Sequence, residues 1–290
     1  MLPDIKNMPE ISRRPALREV ATALVEWIGK DEFVLRKSVR GKIIDVRGAP
    51  RSAGWDFRLR QFAYAMSSPV PAGDRIRKDI LPITKGFAAI TAKYDWRKVG
   101  SEKDIAKKDL EALEDLARQT VIWGGLRPNS YDFSNTWKVV KTAITNRDDC
   151  GAPMNSGWTK VAALATYGRK NEQNIYDSRC SFSILHRLDL MGLAEENLES
   201  AGLDRLCLVC SGRGGTRKKG GAGLREFKIR NPNKNTSATW GAHFACAELV
   251  REMADVLNSS GKYPKMPAGN GKTKKWDVFG VGIVLFMDGY

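Results

Sequence analysis

Lys160 and Asp177 are the two side chains whose types and placement could do chemistry together. A neutral lysine amine is a nucleophile toward an electrophilic carbon, and an ionised carboxylate nearby can take a proton or offset developing positive charge. Each stands at a predicted helix start. In Asn155-Ser156-Gly157-Trp158-Thr159-Lys160-Val161-Ala162, Ser156 is the expected N-cap. Trp158, Val161, Ala162, Leu164 and Ala165 then recur at helical spacing, and Gly168 marks the stop. A second helix opens at Asp177 or Ser178, with Phe182, Ile184, Leu185 and Leu188 on its apolar side and Gly192 after its end. Asp177 falls where first-turn N–H groups want an acceptor, and where the helix dipole favours negative charge. A bland alternative stands beside this one: a solvated lysine, and an aspartate that only caps.

The chain has 290 residues, with Lys plus Arg at 48 against 33 Asp plus Glu and a formal net charge of +15. That balance is the electrostatic footprint of a polyanion binder. No apolar run reaches the length of a membrane-spanning helix, so a membrane surface is the weaker polyanion and no membrane partner is expected. Met1-Leu2-Pro3-Asp4-Ile5 lacks the basic and apolar regions of a secretory signal, so a cytoplasmic location is expected. The cysteines number five and are scattered, which argues against a disulfide framework. Cys207 and Cys210 form the one close pair, with no second pair at zinc-ribbon spacing, so buried thiols are expected and no metal. The histidines are His186 and His243 alone, and His186 lies in an apolar helix.

In chain order, Ala16–Ile28 reads as a core-facing helix through Leu17, Val20, Leu24, Trp27 and Ile28. Ile43, Ile44 and Val46 suggest a short strand. Between Arg51 and Met66 cations alternate with rings, which suits either nucleic acid or a helix with one packed face. Pro71–Pro82 reads as a connection, Lys103–Thr120 as a helix, and Trp123-Gly124-Gly125 as its break. Ser134 or Asn135 caps a helix carrying Trp137, Val140 and Ile144. The stretch 211–234 is glycine-rich and holds eight basic residues against one acid, Glu226. A phosphate-contacting loop is expected there, with Arg213, Arg217, Lys218, Lys219 and Arg225 as candidate DNA contacts; a flexible linker is the alternative. Gly241–Asn258 is helical, Lys262–Lys275 is a second basic loop, and Trp276–Tyr290 is too apolar to remain unpacked. The balance is mainly α, with a minor β component.

Thr159-Lys160-Val161-Ala162, with Asp177 following 17 residues after Lys160, resembles the core of the helix-hairpin-helix DNA glycosylases. The nearest branch is that of the 8-oxoguanine DNA glycosylase/lyases, which carry Gly-x-Gly-Thr-Lys-Val-Ala in the hairpin. The resemblance covers about residues 155–188. It implies two helical lobes around a cleft, Lys160 as nucleophile and Asp177 as the essential carboxylate, with Ser156, Gly157, Trp158 and Thr159 against the DNA backbone. It divides a single unit into an N-terminal lobe (1–133), a hairpin region (134–192) and a C-terminal lobe (193–290). Three departures stand out. Ser156 and Trp158 occupy the places of the hairpin glycines, the Leu-Pro before the turn is missing, and so is the four-cysteine motif of the iron–sulfur branch. No cofactor is therefore expected.

The implied activity is excision of a damaged or modified base from double-stranded DNA, with lyase action at the resulting abasic site. Such an enzyme extrudes its base, and a basic surface helps offset the unstacking. An oxidised purine follows from the nearest branch; a hypermodified phage base, removed in antiviral defence, is the other substrate weighed. The competing readings are a non-catalytic DNA-binding protein using the hairpin and basic loops, and an RNA-binding protein or nuclease. No obligate protein partner is implied.

Overall fold

Val20, Leu24 and Ile28 fall on one face at helical spacing, and in the computed structural model they are fully buried along α1 (Leu17–Lys30). The structure describes residues 5–39, 42–62, 76–207 and 236–289. Two short antiparallel pairs follow α1, nested in sequence. β2 (Arg36–Val39) pairs with β3 (Lys42–Asp45), while β1 (Phe33–Val34) pairs with β4 (Arg51–Ser52) in the register Phe33↔Ser52. The remainder is mainly helical: α2 (Trp55–Arg60), α3 (Leu81–Thr91), α4 (Lys107–Trp123), α5 (Thr136–Thr145), α6 (Ser156–Ala165), α7 (Ser178–Leu190), α8 (Thr236–Ser259) and α9 (Val278–Asp288). A last hairpin, β5 (Met266–Gly269) with β6 (Lys272–Lys274), joins α8 to α9. No helix among the described residues is long and apolar enough to cross a membrane.

Several elements differ from their sequence reading. A π-helical turn at Ile76–Ile80 leads into α3, where a connection was expected. The proline that suggested the connection, Pro82, sits in the first turn of α3, where its missing N–H costs nothing. The second basic loop is a hairpin, its tip at Gly269, Asn270 and Gly271 turned by three positive φ angles. Ser156 does not cap α6: Asn155 does, its Oδ1 accepting from Gly157 N (2.9 Å) and Trp158 N (3.1 Å). The aromatic and cationic stretch from Arg51 divides over its described part: Trp55, Arg58, Leu59 and Phe62 pack inward, while Arg51 and Arg60 stay exposed. Trp55 donates to Val25 O (3.0 Å) and Arg58 is buried.

α1 packs on α8, and α9 packs on α2, α7 and α8. Helices α3, α4 and α5 pack on α6. α9 is apolar around its whole circumference, and every residue from Val278 to Met287 is buried, which makes it a core helix rather than an amphipathic one. A single connected cluster of buried apolar side chains runs from Val20 to Met287.

Four buried charges cross this core. Arg187 of α7 binds Asp31, after α1, at 2.7 Å through Nη2 and binds Asp288 at the end of α9 through Nη1. Arg58 of α2 reaches Asp288 at 3.2 Å and the Asp31 carbonyl at 3.1 Å, and Ser183 donates to Asp288 at 2.6 Å. Burial alone would raise the Asp288 carboxyl, but Arg187 and Arg58 hold it well below the usual carboxylate range. Stability from this group is therefore present above about pH 4 and is lost as pH falls below that value. Arg187→Met removes the cation that binds both Asp31 and Asp288, so urea unfolding at pH 7 is expected to show a loss of about 3–5 kcal/mol. The deficit relative to the parent should shrink as the pH is lowered toward 2; a deficit that is constant with pH would show that the loss is one of packing alone.

Candidate active site

α6 and α7 are joined by an extended segment, and that joint brings Lys160 and Asp177 together. The Asp177 carboxylate is divided between two tasks. Oδ1 caps α7, accepting from Arg179 N (3.0 Å) and Cys180 N (3.1 Å). Oδ2 faces Lys160 Nζ at 3.8 Å. The lysine amine also donates to the Ser156 carbonyl at 3.0 Å. Both residues are secluded, with 4 % of Lys160 and 7 % of Asp177 exposed. An ammonium and a carboxylate taken from water this far attract more strongly than a surface pair.

The lysine stem is held by the end of α4. A Cβ added to Gly124 would lie 2.6 Å from Lys160 Cδ, so a glycine there makes the lysine's channel. Gly157 serves the same purpose for another ring: Tyr131 lies so close to it that any side chain would overlap the phenol. Trp158 meets Tyr131 at 5.5 Å and Phe133 at 6.0 Å, both edge-on, which anchors the first turn of α6. Of the hairpin residues expected against DNA, Trp158 and Thr159 turn their side chains into the core and Gly157 is buried, while Ser156 is half-buried and contributes its carbonyl to Lys160. Arg213, Arg217, Lys218, Lys219 and Arg225, with the loop 211–234 that carries them and Cys210, lie outside the described residues.

Around the pair, Cys180 and Cys246 are buried free thiols. Burial pushes both thiols up, Cys246 to about 12, and the Asp177 charge adds to the shift, so neither is a nucleophile at neutral pH. Among the described residues no group of three His, Cys, Asp or Glu side chains converges as a metal site. His186 stacks flat on Phe182 at 5.0 Å, inside the core. A cleft of about 430 Å³ opens elsewhere, between the turn at Ser101 and the start of α5, and neither Lys160 nor Asp177 lines it.

The joint itself carries polar residues that the sequence reading passed over. Glu172, Gln173 and Asn174 are buried. Flanked by Gly168 and Lys170 they read as a solvated turn, and nothing in their spacing indicates a core. Glu172 accepts from Gly168 N at 3.2 Å, and its other oxygen has no partner. Burial, with Asp277 adding to it, raises this carboxyl to about 8. Lys274 lies beyond, paired with Asp277 and donating to Tyr167 Oη at 3.1 Å.

No protein-family model matches the chain, and no curated protein or solved structure matches it.

Glu172 offers a test of the joint. Its folded-state carboxyl keeps a proton that the unfolded chain gives up above about pH 4.3, so the native state binds more protons across that interval. Stability should fall as pH rises from about 4.5 to 8. Glu172→Gln retains a neutral side chain of the same shape, and its melting temperature is expected to fall less over that range and to exceed the parental value at pH 8. Parallel melting curves for the two proteins would place the carboxyl in water.

Proposed function

We propose that the chain is a DNA glycosylase with lyase activity, of helix-hairpin-helix type, that excises a damaged or modified base from duplex DNA. The observation that carries the reading is the secluded approach of Lys160 Nζ to Asp177 Oδ2 at 3.8 Å, with Oδ1 already committed to the helix cap. The placement of Lys160 within the helix before the joint and of Asp177 at the cap of the helix after it also supports the reading. So does the net charge of +15, which suits a phosphate backbone.

In this reading the extruded nucleotide places C1′ above the lysine. Lys160 passes a proton to Asp177, and the freed amine forms a bond to C1′ as the C1′–N glycosidic bond breaks; the base leaves with the bonding electrons and takes that proton, which returns Asp177 to its carboxylate. Asp177 offsets the positive charge that grows on the sugar and accepts the proton from the attacking nitrogen. Sugar opening then gives a Schiff base on Lys160, and elimination of the 3′ phosphate cuts the strand. The excised base is an oxidised purine or a hypermodified base, the latter implying defence against phage DNA.

A non-catalytic reading has one observation in its favour. The Ser156 carbonyl, Asp177 and the Gly124 channel already account for Lys160 as a crossbar between helices. Two variants separate these readings. Lys160→Gln is expected to abolish strand scission on duplexes carrying the substrate base, with duplex affinity retained. Asp177→Asn keeps an acceptor for the cap and removes the charge, so it should melt near the parental temperature and lose base release by about a hundredfold or more. Parental base release by a folded Asp177→Asn protein would leave the aspartate as a cap and the lysine as a crossbar.

A further inference from the structure

The hairpin β5–β6 is a tethered basic projection. Trp276 donates to the Pro264 carbonyl at 2.9 Å, and Asn258 bonds both the N–H (2.8 Å) and the carbonyl (2.9 Å) of Trp276. Met266 is buried, its sulfur so close to Gly280 that no side chain could stand there. Trp276 in turn packs edge-on against Trp55 at 5.8 Å. The arm is thus fixed at its base to α2, α8 and α9, and two β-strands hold its shape.

Its lysines divide by what they meet. Lys274 is held by Asp277 and Tyr167. Lys262 lies 3.8 Å from Glu26. Lys265, Lys272 and Lys275 are exposed, and no acidic side chain pairs with any of them among the described residues. No Asp or Glu occurs between Lys262 and Trp276. The tip, Gly269-Asn270-Gly271, carries little side-chain bulk, so its backbone can approach another molecule closely. Three exposed lysines on and beside one short hairpin make a local positive field that attracts a polyanion.

Side-chain contacts through the core link the arm to the lysine's channel. From Lys274 a run of rings leads inward: Tyr167 meets Phe279 at 5.7 Å, and Phe279 meets Trp123 at 6.5 Å. The next residue, Gly124, forms the lysine's channel. We propose that the β5–β6 hairpin is a phosphate-contacting arm, in which Lys265, Lys272 and Lys275 seat the backbone of duplex DNA beside the Lys160–Asp177 pair. The inference rests on the DNA-processing reading and adds to it the surface that positions the duplex. Contacts of this kind fix register and carry no base sequence.

The test is the salt dependence of duplex binding, measured by fluorescence anisotropy on full-length protein with an undamaged duplex. Each phosphate contact contributes about 0.9 to the slope of log affinity against log salt. Lys265→Ala/Lys272→Ala/Lys275→Ala is expected to flatten the slope by about 2–3 units and weaken binding equally on modified and unmodified duplexes. Lys103→Ala/Lys107→Ala/Lys108→Ala removes as many charges at the opposite end of α4, and its slope should match the parent. A hairpin variant with the parental slope, or a control variant that flattens it equally, overturns the inference: the lysines would then act as net charge only. A melting temperature near the parental one establishes that each variant is folded. Parental protein that binds duplex but releases no base would instead overturn the glycosylase reading, with the arm left standing as a DNA contact.

Discussion

Arg187 is the charge on which the arrangement of the site depends. It lies on α7, the helix that Asp177 begins, and ties that helix to Asp31 and Asp288 at the ends of α1 and α9. Arg58 closes the network from α2. Taking these four groups from water costs free energy that their mutual attraction offsets only where the geometry is good, so such a network is poor as a source of net stability and strong as a constraint on position. Close apolar packing already resists sliding of α7 against α9, and the two carboxylates and two guanidinium groups add to it, because a shift would leave a buried charge unpaired. The N-terminal and C-terminal parts of the chain are thereby fixed around α7, and the direction in which Asp177 points is fixed with them.

Lys160 is positioned differently, by shape. Gly124 vacates a channel for its stem, and Tyr131, Phe133 and Trp158 clamp the turn from which it springs. One partner of the pair is thus oriented by electrostatics through a helix and the other by packing around a helix. Asp177 then serves the helix cap and the ion pair with a different oxygen for each. The same residue can hold the α7 N-terminus and still present a carboxylate oxygen to the amine.

Asp177 was legible in the sequence because it sits at a helix start, where capping chemistry leaves a strong local signal, whereas Lys160, within α6, stood out through the run Thr159-Lys160-Val161-Ala162. The core face of α1 and the burial of the segment after Trp276 were legible for the same kind of reason: periodicity or unbroken apolarity. What could not be read depended on distant partners. Asn155 rather than Ser156 caps α6, and both are good capping residues, so local preference alone does not choose between them. Arg58 lay in a stretch that suited nucleic acid and a packed helix alike, and the sequence did not choose between them because its carboxylate partner lies 230 residues away. The Glu172-Gln173-Asn174 run looked solvated because only the fold covers it with α8 and α9. Trp158 looked like a departure from a glycine turn, and its reason is the aromatic clamp contributed by Tyr131 and Phe133.

The central claim is that Lys160 becomes covalently joined to a sugar carbon, and the most direct measurement is to find where that bond forms. Parental protein is incubated with duplexes bearing oxidised or hypermodified bases, and with an abasic duplex, in the presence of borohydride. The reduced adduct is then digested and mapped by mass spectrometry. The account predicts one stable protein–DNA adduct, with the sugar remnant on Lys160. An adduct on any other amine, or none with any of these duplexes, would contradict it.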